Sequence, residues 1–170
     1  RRKQIFEAKP NKAHFELTRL EKYFNVNIIT QNIDDFHERA GSKNIIHLHG
    51  EIKKLKSVRD PEYFKVLEGW EHTKNDVDDF GISLRPDIVW FGEAVPMIEP
   101  SIELCQKADI FIIIGTSLAV YPAAGLINYT PSNSEKYLID PNEVSKDMKG
   151  INFIKEKASI GVKMVVHKIL

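Results

Sequence analysis

The sequence predicts an α/β domain: a parallel sheet with helices on both faces, interrupted by one charged insertion. Three observations carry this. Short β-rich runs alternate with stretches of helical periodicity along the 170 residues, a pattern that calls for right-handed βαβ crossovers. The run Ile110–Ile114 is almost all isoleucine, as in a parallel strand buried on both faces. Residues 51–84 are charged, poor in β-branched runs and end in an acidic patch at 76–79, so they read as a small module inserted between two strands.

Taken in order, Asn11 caps a helix whose apolar face is Ala13, Leu17, Leu20 and Phe24, spaced by three and four. Residues 26–30 are a short strand, 35–40 a short helix stopped by Gly41, and 45–48 a second strand. A third strand, 88–91, is entered through Arg85 and Pro86. A helix at 98–108 leads into the strand 110–114. A short helix at 123–128, strands at 137–139 and 152–154, and a closing helix at 162–170 complete the chain. We read 1–170 as one domain, with 51–84 inserted within it and held by packing through Tyr63, Phe64, Trp70 and Phe80.

Composition narrows the function. Lys plus Arg equals Asp plus Glu at 24 each, so net charge points to neither nucleic acid nor an anionic membrane as partner. No apolar run approaches the roughly 20 residues of a membrane span, and nothing at the start reads as a secretory signal. One cysteine, Cys105, excludes an internal disulfide and reads as a small core residue. A cytoplasmic location is expected.

In parallel sheets the ligand cleft lies beyond the carboxyl ends of the strands. The segments that fall there are polar or glycine-bearing. His49 follows a strand and precedes Gly50, so its imidazole can face the cleft for proton transfer at neutral pH; a capping or core histidine has the same local pattern. His47, two residues earlier, permits a metal pair, but no third ligand is evident. Gln31, Asn32, Ile33 and Asp34 end the first strand; their amides can read a carboxamide, or simply form a polar turn. Gly115, Thr116 and Ser117 follow the isoleucine strand and suit phosphate or ribose. Asp140, Pro141 and Asn142 follow the next strand. Val89, Trp90, Phe91, Gly92 and Glu93 offer a strand edge to an extended peptide, or a buried strand with core aromatics.

Five stretches in order resemble the sirtuin family. They are Thr30-Gln31-Asn32-Ile33-Asp34, then His37-Glu38-Arg39-Ala40-Gly41, then Ile46-His47-Leu48-His49-Gly50-Glu51, then Arg85 through Pro86-Asp87-Ile88-Val89-Trp90-Phe91-Gly92 to Glu93, and Gly115-Thr116-Ser117-Leu118-Ala119-Val120-Tyr121-Pro122-Ala123-Ala124. The resemblance implies a Rossmann-like fold and NAD-dependent removal of acyl groups from protein lysines. NAD is then a consumed co-substrate, and the products are nicotinamide and O-acyl-ADP-ribose. His49 matches the base that takes a proton from a ribose hydroxyl. Asn32 and Asp34 match the nicotinamide pocket, with Gln31 near the ribose. Gly115, Thr116 and Ser117 match NAD contacts, as do Asp140, Pro141 and Asn142 beside the adenosine ribose and Ala158 beside the adenine. Asparagine is frequent where Asp140 stands. Val89 to Glu93 match the strand that pairs with an acyl-lysine peptide. The phrase at 37–41 and Trp90 look most like the bacterial-type subclass that includes desuccinylases. Arg1 matches the arginine of that subclass's Tyr-x-x-Arg pair for acidic acyl groups; a solvated terminus is the other reading.

Two departures from the family pattern stand out. The two cysteine pairs that bind structural zinc are absent from 51–84, so no zinc is expected. No glycine-rich pyrophosphate loop occurs, and the first strand and cofactor loop of the fold are expected to be missing. The alternative function is therefore a catalytically silent nucleotide- or peptide-binding remnant.

Overall fold

The computed structural model describes residues 1–116, 120–142 and 150–170. Along the chain run helices α1 (Arg2–Glu7) and α2 (Lys12–Leu20), strand β1 (Ile28–Thr30), helix α3 (Phe36–Ala40), and strands β2 (Ile45–His47), β3 (Gly50–Lys56), β4 (Phe64–Val66) and β5 (Arg85–Ile88). They continue with helix α4 (Ile98–Cys105), strand β6 (Ile110–Ile114), a 3-10 helix (Ala123–Tyr129), strands β7 (Glu135–Ile139) and β8 (Ile151–Ile154), and helix α5 (Ala158–Ile169).

The parallel strands fall into two groups. β1 pairs with β2, setting Ile28 beside Ile45 and Thr30 beside His47. β6, β7 and β8 pair in that order. Among the described residues β1 and β6 each have a partner on one side only. That explains a difference from expectation: only Ile113 of β6 is buried, while its neighbours in the strand are half-buried.

Helices cover both faces, as the sequence pattern requires. Successive strand residues point to opposite sides, so Ile28 packs with one cluster and Ile29 with another. On the first side Ala13, Leu17 and Leu20 of α2 meet Val162, Val165 and Val166 of α5 over Ile28, Tyr137 and Ile139. The three valines are fully buried, each contributing roughly 1.5–3 kcal/mol. Gly161 makes this contact possible, because a Cβ there would lie 2.4 Å from Ile139 Cγ2. On the second side Cys105, Ala123 and Leu126 pack with Leu48, Ile29, Ile46 and Phe111.

Asn11 does cap α2: its side chain accepts from Ala13 N at 2.8 Å, and Asn11 N donates to His14 Nδ1 at 3.1 Å. This is a capping box with histidine in place of the usual Glu or Gln. The helix ends at Leu20, so Phe24 lies beyond it and is exposed.

Residues 51–84 supply β4 and most of β3 to an antiparallel sheet of order β4-β3-β5. Its core differs from the expected one. Leu55, Leu67 and Leu84 are buried against half-buried Tyr63, whereas Phe64, Trp70 and Phe80 are exposed. Carboxylates organise its turns: Asp76 accepts from Thr73 N at 2.7 Å and Lys65 Nζ at 2.6 Å, and Asp78 accepts from Ser57 Oγ at 2.7 Å and Ile82 N at 2.9 Å.

A further correction concerns the strand expected at 88–91. The strand is β5, and it stops at Ile88. Beyond it Glu93 folds the chain back, accepting from Trp90 N at 2.9 Å while Arg85 Nη1 binds its Oε1 at 2.7 Å. Trp90 and Phe91 are therefore exposed, and not core aromatics. Helix α1, not anticipated from sequence, is clipped down by Arg2 Nε to Ile52 O at 2.9 Å and by Arg39 Nη1 to Ile5 O at 3.1 Å. No helix among the described residues is long and apolar enough to cross a membrane.

Candidate active site

His49 leaves the end of β2, and Gly50 sets the direction of the chain after it. Gly50 has φ of +78°, and a Cβ there would sit 2.1 Å from the carbonyl oxygen of Asp87. Only glycine lets β3 start against β5 directly after the histidine. The His49 ring then meets the turn after β1, with Nδ1 3.0 Å from Gln31 O. A carbonyl oxygen only accepts, so this bond is made by the Nδ1–H tautomer, in which Nε2 is the nitrogen with the free lone pair.

The turn that orients His49 is itself pinned. Asn32 N donates to Thr30 Oγ1 at 3.1 Å, Ile52 N donates to Ile33 O at 2.9 Å, and Phe36 N donates to Asp34 Oδ1 at 3.1 Å. Asn32 is exposed. The polar-turn reading of these residues and the binding reading are compatible, because the fixing bonds leave the Gln31 and Asn32 side-chain amides unused: they engage backbone groups, the Thr30 hydroxyl and one Asp34 carboxylate oxygen. His47 faces the same turn from β2, with Nδ1 3.3 Å from Asn32 O and Nε2 2.7 Å from Glu38 Oε1. Its spacing from His49 suggested only a metal pair. Among the described residues no group of three His, Cys, Asp or Glu side chains is placed to hold a metal ion.

On α3, the His37 ring meets His14 at a tilt of 59°, with ring centres 4.7 Å apart. Burial, then repulsion from His14, pushes the His37 imidazole down to about 4. Its Nδ1 is buried without a hydrogen-bond partner.

The second group of expected residues sits at the ends of β6, β7 and β8. Gly115 has φ of +61° and open space where a Cβ would stand, so its backbone is open to close approach. Its N–H donates to Ile139 O at 2.9 Å. Thr116 is half-buried, and Ser117 lies outside the described residues. Asp140 is buried, with Oδ1 accepting from Asn142 N at 2.8 Å. Pro141 and Asn142 are exposed, and Ala158 opens α5. Asn32 is exposed after β1, Gly115 follows β6 with open space at its Cβ position, and Ala158 begins α5.

Val89 is tied to the site directly, since its N–H donates to His49 O at 3.0 Å. Arg85 and the Trp90 amide hold the Glu93 carboxyl down to about 2. Arg1 is exposed ahead of α1; the neighbouring Arg2 donates to Ile52 O and Trp70 O. Cys105 is buried, and burial pushes its thiol up to about 11, which leaves it inert as a nucleophile.

Comparison with known proteins identifies the family. The sequence profile of the Sir2 family matches residues 1–122. The chain is 54% identical over 168 residues to an NAD-dependent protein deacylase of Bacteroides thetaiotaomicron, covering 95% of this chain and 72% of that protein. It is 46% identical over 173 residues to an NAD-dependent protein deacylase of Helicobacter pylori, covering 100% and 74%. A crystal structure of a Sir2 homolog–NAD complex superposes with a TM-score of 0.88 at 32% identity, covering 98% of this chain and 67% of that one. A Sir2–p53 peptide–NAD+ structure superposes with a TM-score of 0.81 at 34% identity, covering 97% and 72%. The chain belongs to the Sir2 family, the sirtuins.

Proposed function

We propose that the protein is an NAD-dependent protein-lysine deacylase in which His49 is the general base. The observation that carries this is the bond between His49 Nδ1 and the Gln31 carbonyl, 3.0 Å long. It presents Nε2 on the turn that also displays Asn32 and Asp34. The curated relatives are named for this activity, and the solved relatives include NAD and peptide complexes.

When bound, NAD supplies the ADP-ribosyl group that accepts the acyl chain. Each residue then has a task. The Asn32 amide and Asp34 carboxylate meet the nicotinamide carboxamide, with Gln31 and Ile33 beside the ribose. Gly115, Thr116 and Ser117 take the nucleotide's ribose and phosphate side. Asp140, Pro141 and Asn142 face the adenosine ribose, with Ala158 near the adenine. His49 removes the proton from a ribose hydroxyl. The extended acyl-lysine peptide lies along Val89, Trp90, Phe91, Gly92 and Glu93, where the exposed aromatics offer apolar contact. Arg1 gives an acidic acyl group such as succinyl a two-pronged guanidinium partner. We read residues 51–84 as a small module inserted in one catalytic domain. Balanced charge, with 24 basic and 24 acidic residues, favours protein substrates over a nucleic-acid or membrane partner, and the single cysteine favours a cytoplasmic location.

The test is deacylation of acetyl- and succinyl-lysine peptides by the complete protein. His49→Ala is expected to lower kcat roughly 10²–10⁴-fold. An unchanged kcat would remove His49 from the mechanism. Arg1→Ala is expected to reduce desuccinylation more than deacetylation.

A further inference from the structure

His47 holds a position that proton transfer does not explain. Its side chain is only 8% exposed, although it stands at the end of a short strand. Its two ring nitrogens reach two different elements. Nε2 lies 2.7 Å from Glu38 Oε1 on α3, and Nδ1 lies 3.3 Å from the backbone carbonyl of Asn32. Both partners are hydrogen-bond acceptors, so the ring is the donor in either contact. The same parallel register that sets His47 beside Thr30 places this ring against the turn whose previous carbonyl, Gln31 O, orients His49.

We propose that His47, braced by Glu38, is a positioning residue that fixes the Asn32 backbone and thereby aims the Asn32 amide at the nicotinamide carboxamide. It touches neither NAD nor the peptide. The physical reason is preorganisation: a displaced amide loses most of a directional hydrogen bond. The Asn32 N–H already has Thr30 Oγ1 as its acceptor. The carbonyl bond from His47 is the second restraint; it holds the following peptide plane, Asn32–Ile33, so that both planes flanking the Asn32 Cα are fixed. The proposal rests on the assignment of Asn32 to the nicotinamide end of NAD.

The test compares NAD with ADP-ribose, which lacks nicotinamide, as ligands of the complete protein in calorimetric titrations. The variants are His47→Phe, Glu38→Ala, the double variant, and Asn32→Ala as reference. His47→Phe is expected to weaken NAD about 5–20-fold, the range of one lost directional contact, and ADP-ribose less than about 2-fold. Glu38→Ala changes a surface helix residue, keeps the fold, and should weaken NAD in the same direction. The double variant should be no worse than His47→Phe, because the two act through one bond. His47→Gln retains a donor and should recover part of the NAD affinity. Equal weakening of NAD and ADP-ribose, or no change with either, overturns the proposal. If Asn32→Ala weakens NAD while His47→Phe and Glu38→Ala do not, only the positioning role falls. If Asn32→Ala itself leaves NAD binding unchanged, the nicotinamide assignment falls and the positioning role with it.

Discussion

The carbonyl oxygen of Asp87 occupies the space that a side chain on Gly50 would need, 2.1 Å from the ideal Cβ position. The register is the cause, since Gly50 pairs with Ile88 at the start of β3. Gly50→Ala therefore meets two penalties, a left-handed φ of +78° and a backbone clash. We expect a loss of roughly 2–4 kcal/mol, the sum of a φ penalty and forced backbone movement. Urea denaturation measures it. Because Gly50 adjoins His49, the surviving folded fraction should also show reduced kcat. An alanine variant of native stability would mean that β3 and β5 separate easily.

Gly161 is constrained by packing alone. Ile139 Cγ2 would lie 2.4 Å from its Cβ, with Ile154 Cγ2 at 3.4 Å. No unusual φ is involved, so the methyl groups can yield somewhat, and Gly161→Ala should cost roughly 1–3 kcal/mol. Val162, Val165 and Val166 share that helix face and are fully buried. Gly161→Val should therefore be clearly worse than alanine in thermal melts. Equal melting temperatures would show that α5 can lift off β7 freely.

These features differ in how far the sequence reveals them. Ala13, Leu17 and Leu20 display helical spacing, and Asn11 precedes them, so α2 is readable. Ile110–Ile114 is readable for the same kind of reason. Strand β3 is not, because its register shifts between Glu51 and Leu55, leaving the buried Ile52 and Leu55 three residues apart. A bulge of this kind removes the two-residue alternation that marks a strand. Helix α1 is held by Arg2 and Arg39 reaching distant carbonyls, which no local pattern records. In the site, a histidine between a strand and a glycine marks His49. What aims it is the backbone carbonyl of Gln31, a group that every residue has. The pairing of His47 with Glu38 is likewise invisible until β2 and α3 are placed side by side.

The Asp76 turn should open only in strong acid. Hydrogen bonds from Lys65 and Thr73 hold its carboxyl down to about 2, against an ordinary 3.8. A depressed carboxyl stabilises the fold fully above its unfolded value and loses that contribution as pH falls through the folded one. The window is therefore from about pH 4 to pH 2. Hydrogen exchange at the Thr73 amide, which donates to Asp76 at 2.7 Å, should stay protected at pH 4 and lose protection toward pH 2. Asp76→Asn should weaken that protection already at pH 7. Protection that ignores both pH and the variant would locate the turn's stability elsewhere, in Leu55, Leu67 and Leu84.

His37 should give stability the opposite kind of group but the same direction with pH. Its imidazole is pushed from 6.5 to about 4, first by burial and then by His14, against weaker opposing pulls from Glu38 and Asp34; His47 lowers it slightly further. The folded state resists the proton, while the unfolded chain accepts it near pH 6.5. Between those values the unfolded state binds more protons, so stability rises with pH across the window and is fully present above it. Solvent reaches part of the ring, so the discounted loss on going from pH 7 to pH 4 is about 1–2 kcal/mol. His37→Gln removes the titrating group, and its urea midpoint should change less over that range than the parent's, by a comparable free energy. Parallel pH profiles for the two proteins would show that the buried, unpartnered Nδ1 accepts its proton at no cost to the fold.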